Sequence, residues 1–273
     1  MGPREQMLDE TADVGLGTNL SICSRTTLST LVFVSQTSHP SHVSVIRGEA
    51  MKKWVLRTLY TILAGLVIAG LVYHLGLRQW CLHWGTTEAE LHSGSPGDGL
   101  FPAYAYQATH AITINAPPRK IWPWLMQIGQ DRSGFYSYKF LENAFGCGMP
   151  EVHRPVPDWK PRTPGETVWF CAPRRFDGQG KMISAVVEPD HAFAMVSTND
   201  WQSLQAGGKA HEGVWSFTLE PWQDGQTRLI ARLRGATPPT LGAQLLGRLF
   251  WEPAHFVMEQ KMLRTIRDLA EKS

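Results

Sequence analysis

Residues 110–129 read HAITINAPPRKIWPWLMQIG. His110 to Asn115 alternates, with Ile112 and Ile114 on one side, which is the period of a strand. Ala116-Pro117-Pro118 ends it, because proline brings no amide to a ladder. From Arg119 to Ile128 the period changes, and Trp122, Leu125, Met126 and Gly129 fall on one helical face. Pro118 suits a first helical turn, where the amide has no partner in any case, and Pro123 falls early enough to be tolerated. Tyr138 to Phe145 reads as a second short helix, stopped by Gly146.

Downstream, strands dominate. Thr167 to Cys171, Lys181 to Glu188 and His191 to Ser197 alternate, with Pro189-Asp190 as the turn between the last two. Val214 to Glu220 and Thr227 to Arg234 form another pair, joined across Asp224-Gly225. Trp215, Phe217 and Leu219 share one face, and Leu229, Ala231 and Leu233 are placed to answer them. Arg228, Arg232 and Arg234 then point the other way, where a solvated outer face is expected rather than an anion site. Thr240 to Glu271 is a long helical pattern, with a break expected at Pro253. One strand, two short helices, a run of antiparallel strands and a closing helix make an α+β domain. A curved sheet gripping that helix leaves a cleft.

Upstream, Val55 to Leu77 reads VLRTLYTILAGLVIAGLVYHLGL. The apolar run is roughly 19 residues, about 28 Å as a helix, against a hydrocarbon core of about 30 Å. Trp54 stands at one end, and Tyr73, Trp80 and Trp84 at or beyond the other, as interfacial anchors do. A transmembrane helix over 54–77 is therefore expected. A cleaved signal and a buried soluble helix are the rivals, and the run exceeds a normal signal core. Lys52, Lys53 and Arg57 precede it and Arg78 follows almost alone, which places the amino terminus in the cytoplasm and the large domain outside. Gly65 and Ala69 are four apart, a small-residue pair that would let two such helices associate.

Residues 1–50 are rich in Ser and Thr and read as a disordered leader. Met51-Lys52-Lys53 also has the form of a natural start, which would leave the leader outside the native protein. Thr87 with Glu90 makes a capping box for a short helix, and Ser93 to Gly99 reads as a linker within 78–103. The domain proper is expected over 104–273. The net charge of +2 and the absence of a basic run give nucleic-acid binding no electrostatic support. None of the four cysteines is in a CxxC spacing. Cys147 and Cys171 are expected as buried thiols, with a bridge as the alternative in an oxidising space.

AITINAPPRKIWPWLMQIGQDRSGFYSYKFLENAFG (111–146) resembles the opening of a group of START-like, or SRPBCC, proteins, many with one amino-terminal membrane helix. VWSFTLEP (214–221) and HFVMEQKML (255–263) resemble its later strand and closing helix, and the similarity runs from about Trp80 to Leu269. The superfamily includes polyketide cyclases, lipid carriers and Bet v 1-like proteins. The resemblance therefore implies a helix-grip fold, but it does not choose between binding, transport and catalysis. Where the group's form is Gly-Gln-Gly-Arg-Ala-Gly, this chain has Gly-Gln-Asp-Arg-Ser-Gly, residues 129–134.

The expected function is a membrane-tethered domain that binds a small hydrophobic or amphipathic, lipid- or polyketide-like ligand. Its cleft wall would be Trp122, Leu125, Tyr136, Tyr138, Trp169, Trp215, Phe217 and His255. Arg132 would meet a ligand carboxylate or phosphate, unless it pairs with Asp131 or Glu142. A cyclase- or dehydratase-like enzyme using Tyr136, Glu142 or His255 is the rival, and a non-catalytic partner of another membrane protein is a third reading. His255 and Glu259, four apart, share a helix face, where a plain helix-surface or pocket-wall pair is expected and an acid–base pair is the alternative. As metal ligands they lack an evident third, so no metal is expected, and no cofactor fingerprint occurs.

Overall fold

The computed structural model describes residues 42–273, with side chains from Gly48 onward. It separates into two compact units at Thr58/Leu59. Within the described residues the first unit is the start of a helix, α1, over His42–Val72. Most of the expected leader lies outside the described residues, and its end from His42 is helical rather than irregular. A π-type turn over Tyr73–Leu77 leads into α2, Arg78–Leu82. Gly48–Leu82 is the one helix among the described residues long and apolar enough to cross a membrane.

The second unit continues with α3 (Glu88–His92), β1 (Tyr106–Ile114), α4 (Pro118–Met126) and α5 (Lys139–Ala144). Then come β2 (Thr167–Trp169), β3 (Lys181–Glu188), β4 (Ala192–Val196), α6 (Thr198–Gln205), β5 (Gly213–Pro221) and β6 (Thr227–Gly235). It closes with α7 (Leu241–Leu246) and α8 (Glu252–Ala270). Six strands form one antiparallel sheet in the order β1-β6-β5-β4-β3-β2. Trp215, Phe217 and Leu219 stand opposite Leu233, Ala231 and Leu229, the pairing their alternation predicts. The β5–β6 turn needs left-handed backbone at Asp224 and Gly225, and aspartate and glycine are the residues that accept it.

The inner face of this sheet packs on α8, whose Phe256, Glu259, Met262, Leu263, Ile266 and Ala270 form one buried stripe. The result is an α+β helix-grip fold. The helical break falls earlier than Pro253: α7 ends at Leu246, and Gly247–Trp251 forms a wider π-type turn. Pro253 is the second residue of α8 and follows this turn directly, in backbone that stays right-handed helical through Trp251 and Glu252.

The outer face departs from expectation. Arg228 and Arg232 are buried rather than solvated, because residues 88–101, expected as little more than a linker, lie across them as a strap. Arg228 makes a two-pronged bond to Glu90, Nε to Oε1 at 2.6 Å and Nη2 to Oε2 at 2.8 Å. Arg232 donates to Asp98 at 2.6 Å and to the carbonyls of Ser93 and Glu90. Arg234 reaches Asp98 at 3.0 Å and lies over the Tyr104 ring. Gly97 runs so close to the sheet that a Cβ there would meet Ser216, Val214 and Ala194 at 3.0–3.3 Å. Phe101 completes the layer, in a small apolar cluster with Ala194, Val196, Ala210 and Val214. The packed body thus begins well before Tyr104. Alternation shows only that the arginines leave the core; it is blind to a further layer of chain.

Cys147 and Cys171 are not thiols but a disulfide, 24 residues apart in sequence. The bridge ties the chain after α5 to the end of the β2 region, beside the groove described next. Closing a loop of that size constrains the unfolded chain by about 3 kcal/mol. Reduction with dithiothreitol is therefore expected to lower the melting temperature by several degrees, and Cys147→Ala/Cys171→Ala to reproduce the fall without reductant. An unchanged melting curve would contradict the bridge.

Candidate functional site

Between the sheet and α8 lies a hollow of about 320 Å³. Its floor is three aromatic rings in mutual contact: Phe135 meets Phe170 edge-on at 4.9 Å and stacks on Trp215 at 6.0 Å. Ala254, Met258 and Met262 of α8 form its roof, and Met149 closes one side. Polar groups are few: Ser137, Glu142, His255 and Glu259. Burial pushes the Glu142 carboxyl up to about 7. A second hollow of about 300 Å³ shares His255 and Trp251 with the first. It extends toward Tyr106, Leu233 and the Arg78–Glu252 ion pair, whose Nε–Oε2 distance is 2.7 Å.

Where the two hollows meet, four side chains converge. β1 presents His110 on its inner face, in phase with Ile112 and Ile114, and it is 1 % exposed. α8 presents His255 and Glu259 one turn apart, and β5 presents Trp215. Glu259 bonds His110 Nδ1 through Oε2 and accepts the Trp215 Nε1–H on Oε1 at 2.6 Å. His110 Nε2–H donates to the Cys81 carbonyl at 2.7 Å. His255 Nε2 lies 3.4 Å from Glu259 Oε2. Burial would raise the Glu259 carboxyl, but the two imidazoles outweigh it and hold it far below the usual range. Burial likewise opposes charge on His255, and the Glu259 carboxylate reverses that, so its pKa is raised.

Of the residues expected in the wall, Trp215 and His255 line the groove, as do Glu142 and Glu259 from the catalytic candidates. Phe217 is fully buried behind Trp215, stacked on Phe193. Leu125 is core, and Trp122 lines a separate hollow among Pro155, Val156 and Pro157. Trp169 points outward under Lys181, and its neighbours Val168 and Phe170 point inward, the opposite phase to the one expected. Tyr136 is sealed against Trp124, its phenol pushed up to about 12 by burial. Tyr138 packs on Phe140 outside the groove.

Arg132 is a clamp rather than a ligand grip. It donates to the Met126 and Lys160 carbonyls and sits beside Asp131 and Glu166. Asp131 pairs with the buried Arg162 at 3.0 Å. His110 and Phe170 are the site residues that sequence reasoning missed. A titratable group in phase with an apolar strand face was the available signal for His110.

No family model and no curated protein matches the chain. Solved structures do. A Polyketide_cyc-like protein from Corynebacterium glutamicum is similar at 15% identity and TM-score 0.29, covering 61% of this chain and 90% of its own. The Aha1 dimer from Colwellia psychrerythraea is similar at 17% and 0.30, covering 57% and 93%. A protein from Mesorhizobium loti is similar at 18% and 0.32, covering 62% and 98%. At such identities and scores the fold assignment rests on strand order and register. Those, with the two short helices after β1 and the closing α8, define a helix-grip fold.

Proposed function

We propose that the protein is a membrane-tethered helix-grip domain that holds a small hydrophobic or amphipathic molecule, lipid- or polyketide-like, beneath α8. The observation that carries this reading is the groove itself. About 320 Å³ stays open against Trp215 and Phe135. That is the lower end of the range for small-molecule pockets. Apolar burial would drive binding, and Glu142 at the wall would orient a polar head.

Tethering is supported by the apolar helix Gly48–Leu82. It is also supported by the exposed Leu245, Leu246, Leu249, Phe250 and Trp251, since Leu249 lies beside Gly70 of that helix. These residues would rest in the same bilayer, and the second hollow opens among Gly247, Arg248 and Trp251. A ligand taken from lipid would enter there. The basic flank Lys52, Lys53 and Arg57 and the Cys147–Cys171 bridge both favour an extracytoplasmic domain, where disulfides persist. The test is to purify the full chain in detergent, extract it with organic solvent and identify what was bound by mass spectrometry. A single amphiphile class, enriched over the surrounding lipid, is the expected result. An empty extract, with no shift in melting temperature on adding lipids or polyketides, would overturn the reading.

A further inference from the structure

Beyond carrying a ligand, the groove ends in a cluster whose donors fit a different task. We propose that His110, His255 and Glu259 form a binding site for a divalent first-row transition metal, with its open coordination positions facing the groove. The three ligand atoms all lie within 4.8 Å of one another. Two imidazoles and one carboxylate are the donor set that suits zinc and non-haem ferrous iron.

Three features separate this cluster from an ordinary buried ion pair. The first is outer support. A metal-bound histidine characteristically gives its other ring N–H to a carbonyl or carboxylate. His110 does so through Nε2 to Cys81, which leaves Nδ1 directed at Glu259 and His255. The second is the carboxylate: Glu259 Oε1 is fixed by the Trp215 indole, and Oε2 is the atom that faces both histidines. The third is His255. Its Nε2 is buried and has no hydrogen-bond partner among the described residues. Hidden from water, that nitrogen is held 3.4 Å from the Glu259 carboxylate as an ion pair without the geometry of a hydrogen bond, a polar group short of a full partner. A cation there would take the lone pairs of both. Three protein ligands leave the fourth position open, as in catalytic rather than structural sites, and His255 and Glu259 both line the larger hollow.

The experiment titrates Co²⁺ into the full chain, without an affinity tag, in detergent after dialysis against a chelator, and follows d–d absorption. Uptake of about one equivalent is expected, with Zn²⁺ displacing the cobalt and bleaching the bands. Trp215→Phe, which removes the indole donor to Glu259 together with part of the groove floor, is expected to weaken binding about 10–100-fold. His255→Ala, at the groove wall, is expected to abolish the bands while leaving the circular dichroism spectrum and melting cooperativity intact. His110→Gln serves as a second ligand variant, read the same way. Folded wild-type protein that takes up neither Co²⁺, Zn²⁺ nor Fe²⁺ overturns the proposal, and so does uptake that survives in both ligand variants. Either result leaves the groove's ligand to be judged by its own extraction experiment.

Discussion

Glu90→Gln is expected to destabilise the domain by about 3–5 kcal/mol, a cost typical of breaking one partner of a buried ion pair. Glu90 is 5 % exposed and Arg228 7 %. The substitution leaves a guanidinium that water cannot reach, still bonded to Thr113 and the Gly85 carbonyl but without a counter-charge. It also weakens the N-cap of α3, where Glu90 accepts the Thr87 amide at 2.8 Å. Glu88→Gln is the control, since that side chain is 89 % exposed and should change stability by less than about 0.5 kcal/mol. The same pair makes a statement about pH. Burial acts to raise the Glu90 carboxyl, but the Arg228 guanidinium and the Thr87 amide prevail and lower it from 4.5. A depressed carboxyl contributes stability that is fully present above its unfolded value and is lost as pH falls through the folded one. Wild-type unfolding should therefore become easier on acidification below about 4.5, and the Glu90→Gln curve should be flatter over that limb. Thermal melts from pH 7 to 3 read both effects. A Glu90→Gln protein as stable as wild type at pH 7 would show that the strap is not holding the outer face.

How much of this is legible in the sequence depends on the range of each signal. The pairing of Trp215 with Leu233 was legible because alternation and a short turn are local facts. The capping box at Thr87 was legible for the same reason. The strap was not, because its bonds join residues 134 to 142 positions apart, and nothing near Arg228 in sequence announces Glu90. Trp169 and Phe170 show a narrower failure: in a strand of three residues the period cannot fix which face is which, and packing on Phe135 decides it. The His255–Glu259 spacing was visible on one helix, but the partner that turns a pair into a cluster comes from β1, 149 residues from Glu259. Loop residues misled for a chemical reason. Arg132 and Tyr136 look like ligand grips by type, yet the loop after α4 spends them on its own carbonyls and on Trp124.

Filling the groove is expected to remove ligand binding while sparing the fold. Ala254 and Met258 are on the roof, partly exposed, and one turn apart on α8. Replacing both with tryptophan projects two indoles into the space above Trp215. Denying a ligand roughly 150 Å² of apolar contact costs about 4 kcal/mol, or about a thousandfold in affinity. The hollow takes the added volume, so the overpacking penalty of a filled core does not apply and the melting temperature should hold or rise. Trp122→Phe is the discriminating control. Trp122 lines the separate hollow near Pro155, and its loss should leave affinity unchanged, although its residue type made it as good a candidate for the wall as Trp215. Displacement of a fluorescent fatty acid, or calorimetry with the molecule recovered by extraction, measures the difference. Equal affinity in wild type and in the filled variant, with both cooperatively folded, would place the ligand outside the space under α8 and end the reading of this domain as a carrier that uses it.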